Sequence, residues 1–122
     1  MTLDYESLRG IATSYASCSL GNPSDPPPLL DRLHAISAAG FSAIELSFPD
    51  ILSYGATILD HEPDPKNYDD LCNVAAAIKS ECDKRKLAVM MLQPFSNFEG
   101  WKEGSEGRKD AFERAKLSLI HI

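Results

Sequence analysis

Six apolar residues stand in a row from Leu87 to Leu92, and this run limits the possible folds more than any other part of the sequence. An apolar run of this length without alternation is typical of a strand buried on both faces. Such strands are usually parallel, and parallel strands are joined by long crossovers, most often helices. The run therefore predicts an α/β fold built on a parallel sheet.

The remaining sequence supplies the other strands and helices that such a sheet needs. Two further strands are predicted at residues 11–14 and 41–47, and a short helix is predicted near 50–54. A first long helix begins with Pro28 at its first position and stops at Gly40, which can adopt a left-handed conformation. Two more helices are predicted, from 68 to 86 and from about 105 onward. In each of these three long helices, apolar residues at helical spacing form a stripe that is expected to be buried. The stripes are Leu29, Leu33 and Ile36 in the first helix, Leu71, Val74, Ala75, Ile78 and Cys82 in the second, and Ala111, Phe112, Ala115 and Leu119 in the third.

The resulting order, β-α-β-α-β-α, is used by doubly wound sheets and by (β/α)₈ barrels. A barrel needs roughly 250 residues, whereas this chain has 122. Right-handed crossovers would place all three helices on one face of the sheet and leave the other face bare. We therefore expect residues 1–122 to be an α/β chain that forms the N-terminal portion, about three βα units, of a TIM (β/α)₈ barrel, truncated before the later strands.

The charge balance argues against a nucleic-acid or anionic-membrane partner, because the net charge is −6. Residues 45–70 contain seven acids and one base, a difference equal to the whole net charge. A solvated acidic loop among the elements of this stretch is the simpler interpretation, and attraction of a cation is the alternative. The three cysteines do not suggest a disulfide framework, and neither a signal core nor a membrane span is evident. These features predict a cytoplasmic protein with reduced thiols, and it is the loop after the third predicted strand that points to a small-molecule substrate.

The loop after the third predicted strand carries the strongest sign of a site. From Gln93 to Trp101 it holds an amide, a carboxylate and three aromatic rings within nine residues. Ligands of α/β folds bind at the carboxyl ends of the strands, so the Gln93 amide is expected to face the substrate. Glu45 lies in a buried strand pattern, where a carboxylate must be paired or protonated. The full set of predicted substrate-binding residues is Ser14, Glu45, Gln93, Phe95, Ser96 and Trp101.

Each of these residues also has a structural interpretation. Gln93 could instead hydrogen-bond the loop backbone, Glu45 could order neighbouring loops, and at least one aromatic ring is expected to pack the loop onto the third helix. Ser14 and Tyr15 are expected to leave the first strand on the same face. The three histidines are scattered, and neither a Ser-His or Cys-His pattern nor a phosphate-binding P-loop is present.

Two segments carry a resemblance to a known family: Gly40-Phe41-Ser42-Ala43-Ile44-Glu45-Leu46, and Leu92-Gln93-Pro94-Phe95-Ser96-Asn97-Phe98-Glu99-Gly100-Trp101. They resemble the xylose isomerase-like barrel superfamily of sugar phosphate isomerases and epimerases, and within it the 3-dehydroshikimate dehydratases of quinate and shikimate catabolism. The resemblance implies a lyase that needs a divalent metal (Mg, Mn or Co) and eliminates water from a small hydroxy-carbonyl substrate through an enolate. A dication stabilises the developing oxyanion in such a reaction. The family carries its metal ligands on strands after the third, so the resemblance assigns no metal ligand to these 122 residues.

Several alternatives stay open at this point. Ser96 stands where the dehydratases carry an arginine suited to a substrate carboxylate, which favours a sugar phosphate isomerase or epimerase activity. A doubly wound binding or signalling domain is a second alternative. A truncated chain without catalytic activity is the third, and we expect the isolated 122 residues to be inactive.

Overall fold

The computed structural model describes residues 10–22, 24–93 and 100–120, without the side chains of 117–120. It has a mixed helix and strand architecture with a small parallel sheet, as the sequence predicts. The strands, which lie in the order β1-β2-β3, are β1 (Ser14–Ala16), β2 (Ala43–Ser47) and β3 (Ala88–Gln93). The helices are α1 (Leu29–Ala38), α2 (Phe48–Ile58), α3 (Tyr68–Lys84) and α4 (Glu106–Ile120), and a 3₁₀ turn (Ser17–Ser19) follows β1.

The first strand lies further along the chain than the predicted span of 11–14. Pairing starts at the Thr13 carbonyl, which accepts hydrogen bonds from the backbone N–H groups of Ser42 and Ala43 at 3.1 Å. Ser14 then pairs with Ala43, whereas Ile11 is 59% exposed. The position of β1 is therefore set by its partner strand, which cannot begin until α1 has ended.

The end of α1 is a Schellman motif. Gly40 has a φ of 90°, as predicted for a left-handed stop. Its N–H donates to the Ser37 carbonyl at 3.0 Å, and the Phe41 N–H donates to the Ile36 carbonyl at 3.3 Å. At the other end of α1, Pro28 is the N-cap residue and Leu29 the first helical one, one residue later than predicted.

The second helix is longer than the predicted segment near 50–54, because β2 passes into it without a loop. Ser47 is both the last residue of β2 and the N-cap of α2, and its hydroxyl accepts a hydrogen bond from the Asp50 N–H at 3.4 Å. Pro49 lies in the first turn, where a missing N–H costs nothing. This arrangement brings the start of α2 to the carboxyl end of β2.

The apolar core of the described residues lies between one face of the sheet and helices α1 to α3. The predicted stripes of α1 and α3 supply much of it, with Leu33, Val74, Ile78 and Cys82 fully buried. The prediction that Phe112 of α4 is buried is wrong, because its side chain is 57% exposed. There the Arg108 guanidinium lies over the Phe112 ring, 5.6 Å from its centre, so the ring is held on the surface of α4.

The opposite face of the sheet is exposed, so the prediction that β3 is buried on both faces is wrong. Val89 and Leu92 pack against the core, whereas Met90 is 57% exposed and Met91 is 40% exposed. A register shift in the pairing of β2 with β3 inserts Met90 into the strand, since Ile44 pairs with Val89 and the next residue, Glu45, pairs with Met91. The strand is apolar as predicted, but helices cover it on one face only. A bare second face is what the crossover argument predicts.

Candidate functional site

Glu45 and Gln93, both predicted to bind substrate, are joined at the open face of the sheet. The pairs Glu45 with Met91 and Ser47 with Gln93 place the two side chains on the same face, because alternate residues of a strand share a face. The Gln93 amide donates a hydrogen bond from Nε2 to Glu45 Oε2 at 3.1 Å. Gln93 is the last residue of β3, so this pair lies at the carboxyl edge of the sheet.

Cys18 joins this pair from the 3₁₀ turn that follows β1. Its Sγ donates a hydrogen bond to Gln93 Oε1 at 3.3 Å. The sequence reasoning did not select Cys18, although the rule that ligands bind where parallel strands end also applies to β1. The three side chains form a chain of hydrogen bonds, which we call the Cys18–Gln93–Glu45 relay.

Within the described residues, two polar groups of the relay have no hydrogen-bond partner. Glu45 Oε2 accepts the Gln93 amide, whereas Glu45 Oε1 accepts no hydrogen bond from the side chains and backbone described here. Gln93 uses one of its two amide N–H groups, which leaves the other as a donor. A half-buried carboxylate oxygen beside an amide donor can bind a hydroxyl group or receive a proton from a bound molecule.

Ser14 and Tyr15 do not share a face, so the prediction that they leave β1 on the same side is wrong. Successive strand residues point to opposite faces. Ser14 pairs with Ala43 and is on the face of Glu45, whereas Tyr15 packs edge-to-face on Phe41, with 5.1 Å between ring centres. Ser14 Oγ is buried and makes no hydrogen bond within the described structure, so it is not part of the relay.

The Trp101 ring packs against helix α4. It covers Gly107, where an added Cβ would come within 2.3 Å of two ring carbons. This placement is that of an aromatic ring packing the loop onto the last helix, and the Trp101 side chain is still 47% exposed. The other two predicted loop contacts, Phe95 and Ser96, lie outside the described residues.

A buried polar network that the sequence reasoning missed adjoins the relay through Ser17, which precedes Cys18, and Ser47, which pairs with Gln93. Asp50 Oδ2 accepts hydrogen bonds from the hydroxyls of Ser17 at 2.5 Å and Ser47 at 2.7 Å, and Asp50 Oδ1 accepts one from Arg32 Nη2 at 2.6 Å. Arg32 also donates to the backbone carbonyls of Ser17 at 2.7 Å and Pro27 at 2.9 Å. The residues of the network, Ser17, Arg32, Ser47 and Asp50, are at most 5% exposed.

Two sequence signals could have found this network. Ser47 precedes Asp50 by three residues, the spacing of a helix start with a reciprocal cap. Arg32 lies on the stripe of α1 that contains Leu29, Leu33 and Ile36, and a charged residue on a buried stripe needs a partner. We conclude that the network fixes the turn after β1 to the start of α2.

The cysteines differ in their environments, and all three are free thiols. Burial raises the pKa of the Cys82 thiol to about 11 and also raises the pKa of Cys72. Cys18 is exposed. It is therefore the thiol of this chain that is both accessible and placed at the carboxyl edge of the sheet.

The described residues do not provide a set of three or more His, Cys, Asp or Glu side chains that could bind a metal ion. The carboxylate of Glu45 and the thiol of Cys18 are linked through Gln93 rather than converging on one point. The described residues therefore do not fit the divalent metal that the resemblance implies. Within the same residues, no helix has the length and apolar character needed to cross a membrane.

Comparison with known proteins gives one significant similarity. Over 93 residues, 75% of this chain, the sequence is 30% identical to 3-dehydroshikimate dehydratase of Neurospora crassa. The matched segment covers 26% of that protein, so the chain spans about a quarter of the relative's length. Neither a family model nor a solved structure matches the chain. The similarity supports a family related to 3-dehydroshikimate dehydratase and no closer assignment.

Proposed function

We propose that this chain forms part of an enzyme that removes water from 3-dehydroshikimate or from a closely similar hydroxy-carbonyl compound. The observation that carries the proposal is the hydrogen-bonded pair of Glu45 and Gln93 at the carboxyl edge of a parallel sheet. The partial similarity to a dehydratase with that substrate supports it. In this proposal the chain contributes the first βα units of a (β/α)₈ barrel.

The pair would bind the substrate through the groups that it leaves unused. Glu45 Oε1 accepts a substrate hydroxyl, and the second N–H of the Gln93 amide donates to a substrate oxygen. A hydroxyl bound to a carboxylate is a charge-assisted hydrogen bond, which is stronger than a neutral one. The remaining groups of the reaction, including those that hold any metal, would come from outside the described residues.

A chimera tests the proposal directly. The segment of the Neurospora crassa dehydratase that matches this chain is replaced by the corresponding residues of this chain, and the loss of water from 3-dehydroshikimate is followed by mass spectrometry. We expect turnover, and we expect Glu45→Gln to lower kcat/KM by about 10- to 100-fold, since a hydrogen bond to a charged group contributes about 1.5–3 kcal/mol.

The matched control is Asp83→Asn, which also removes one negative charge. Asp83 lies at the end of α3 that leads into the start of β3, away from the carboxyl edge, and its partner is the exposed Lys79. We expect this variant to keep the activity of the chimera. A chimera that melts in a single cooperative transition and yet does not eliminate water would contradict the proposal.

A further inference from the structure

We propose that Cys18 is a positioning residue: its thiol fixes the orientation of the Gln93 amide and, through it, the hydrogen bond that holds the Glu45 carboxylate. The catalytic meaning of this role rests on the function proposed above, but the positioning itself does not. Cys18 belongs neither to the segments that carry the family resemblance nor to the residues that the sequence selects.

The chemistry of the relay permits only one orientation of the Gln93 amide. The amide carbonyl, Oε1, faces the Cys18 thiol at 3.3 Å, and the amide nitrogen, Nε2, faces Glu45 Oε2 at 3.1 Å. If the amide were turned over, its carbonyl would face the carboxylate, where two acceptors meet without a proton between them. The thiol supplies the donor at the other end. Cys18 and Glu45 therefore select the same orientation from opposite sides.

The turn that carries Cys18 is fixed through its neighbour Ser17, which is fully buried. Ser17 Oγ accepts the Ser47 N–H at 3.1 Å and donates to Asp50, while the Ser17 carbonyl accepts from Arg32. The network thus holds Ser17 by both its side chain and its backbone. The Cys18 thiol is consequently held toward Gln93 by a turn that is itself fixed. This is the arrangement expected of a residue that orients a functional group.

The orientation can be measured on the chain without any substrate. The variants are Cys18→Ala, which removes the donor, and Cys18→Ser, which replaces the thiol with a hydroxyl donor. The readout is the pair of side-chain amide resonances of Gln93 in ¹⁵N NMR spectra, together with the exchange of their protons with solvent. We expect Cys18→Ala to shift both resonances and to accelerate exchange by about 3- to 10-fold, the effect of losing one hydrogen bond, and we expect Cys18→Ser to stay close to the original chain.

Each result of this experiment decides the proposal. Unchanged Gln93 resonances in Cys18→Ala would overturn it. Equal changes in Cys18→Ala and Cys18→Ser would also overturn it, because packing around the sulfur rather than its donor would then be the cause. Since no turnover is required, the proposal can hold when the chimera is inactive, and it can fail when the chimera is active.

A second measurement serves if Cys18→Ala does not fold. The rate at which iodoacetamide alkylates Cys18 is compared between the original chain and Gln93→Leu, with modification located by peptide mass spectrometry. We expect Gln93→Leu to raise the rate by about 3- to 10-fold, because the thiol then has no hydrogen bond to break before it reacts. Cys72, which lies on α3 and has no such partner among the described residues, is the internal control and should keep its rate. An unchanged rate at Cys18 would overturn the proposal.

Discussion

At the scale of single residues, Asp50 and Arg32 determine how the elements around the site meet. Their side chains are 7% and 3% exposed and are joined at 2.6 Å. Asp50 also accepts hydrogen bonds from two hydroxyls, and Arg32 also donates to two backbone carbonyls. Both charged groups therefore have further hydrogen-bond partners besides each other. A buried ion pair of this kind adds little net stability compared with apolar residues, but breaking it leaves a buried charge without a partner.

We therefore expect Asp50→Asn to lower the free energy of unfolding by about 3–5 kcal/mol. The double variant Arg32→Met with Asp50→Leu should recover most of that loss, because neither charge then remains buried. Urea denaturation measures both. Asp83→Asn is the control, since its partner Lys79 is exposed and such a pair contributes less than about 1 kcal/mol. A similar loss in the double variant would show that the hydrogen bonds to Ser17 and Ser47, rather than the charges, dominate.

At the scale of elements, Tyr68 links the start of α3 to α4. The Tyr68 hydroxyl donates to the Asp110 carboxylate, which also pairs with Arg114 one turn further along α4. Burial, followed by the hydrogen bond to Asp110, raises the pKa of Tyr68 to about 12 from an ordinary value of 10.0. The folded protein thus holds this proton more tightly than the unfolded chain does.

The raised pKa predicts a loss of stability in alkali. The stability that comes from the raised pKa of Tyr68 is fully present below pH 10, where the folded and unfolded states are both protonated, and it is lost as the pH rises toward 12. We expect Tyr68→Phe to be less stable than the original chain at neutral pH by about 1 kcal/mol and to lose less stability between pH 10 and pH 12. Urea unfolding at a series of pH values measures this difference. Tyr54→Phe, which leaves Tyr68 and Asp110 in place, should follow the original chain, and an equal pH slope in Tyr68→Phe would contradict the prediction.

The elements also show what the sequence could and could not predict. Helix starts and stops follow from local residues, so α1 ends at Gly40 and α3 begins after Asn67 as predicted. The end of α3 is two residues earlier than predicted, because Lys86 takes the left-handed position with a φ of 57° and no glycine marks it. β1 was misplaced since its span depends on where β2 lies.

The residues of the candidate site also differ in whether a local sequence pattern predicts them. Glu45 and Gln93 could be predicted because each is a polar residue in or at the end of an apolar strand. For Cys18 the rule for strand ends gives only its approximate place, because the turn that presents it is held by Arg32 and Asp50, which lie 15 and 33 residues from Ser17 in sequence. Contacts over such separations leave no local pattern in the residues around Cys18.

At the scale of the whole molecule, the two faces of the sheet differ in how well they are covered. One face is packed by three helices, whereas Met90 and Met91 on β3 are exposed by 57% and 40%. A contiguous exposed apolar patch is typical of a surface that binds other apolar molecules, whereas a single exposed apolar side chain is an ordinary feature of protein surfaces. This difference allows a test with a matched residue, because Phe112 on α4 is also 57% exposed but has the Arg108 guanidinium over its ring.

We expect this chain to bind the fluorescent dye anilinonaphthalene sulfonate in its folded state. The double variant Met90→Gln with Met91→Gln should lose most of the fluorescence increase, while the free energy of unfolding changes by less than about 0.5 kcal/mol per position, as is usual for surface substitutions. Phe112→Gln should keep the dye signal, because it removes an apolar side chain of the same exposed fraction from a different surface. An equal loss of fluorescence in Phe112→Gln would mean that the dye reports general exposure of apolar side chains rather than the open face of the sheet. Unchanged fluorescence in the methionine variant would mean that this face does not bind apolar molecules at all.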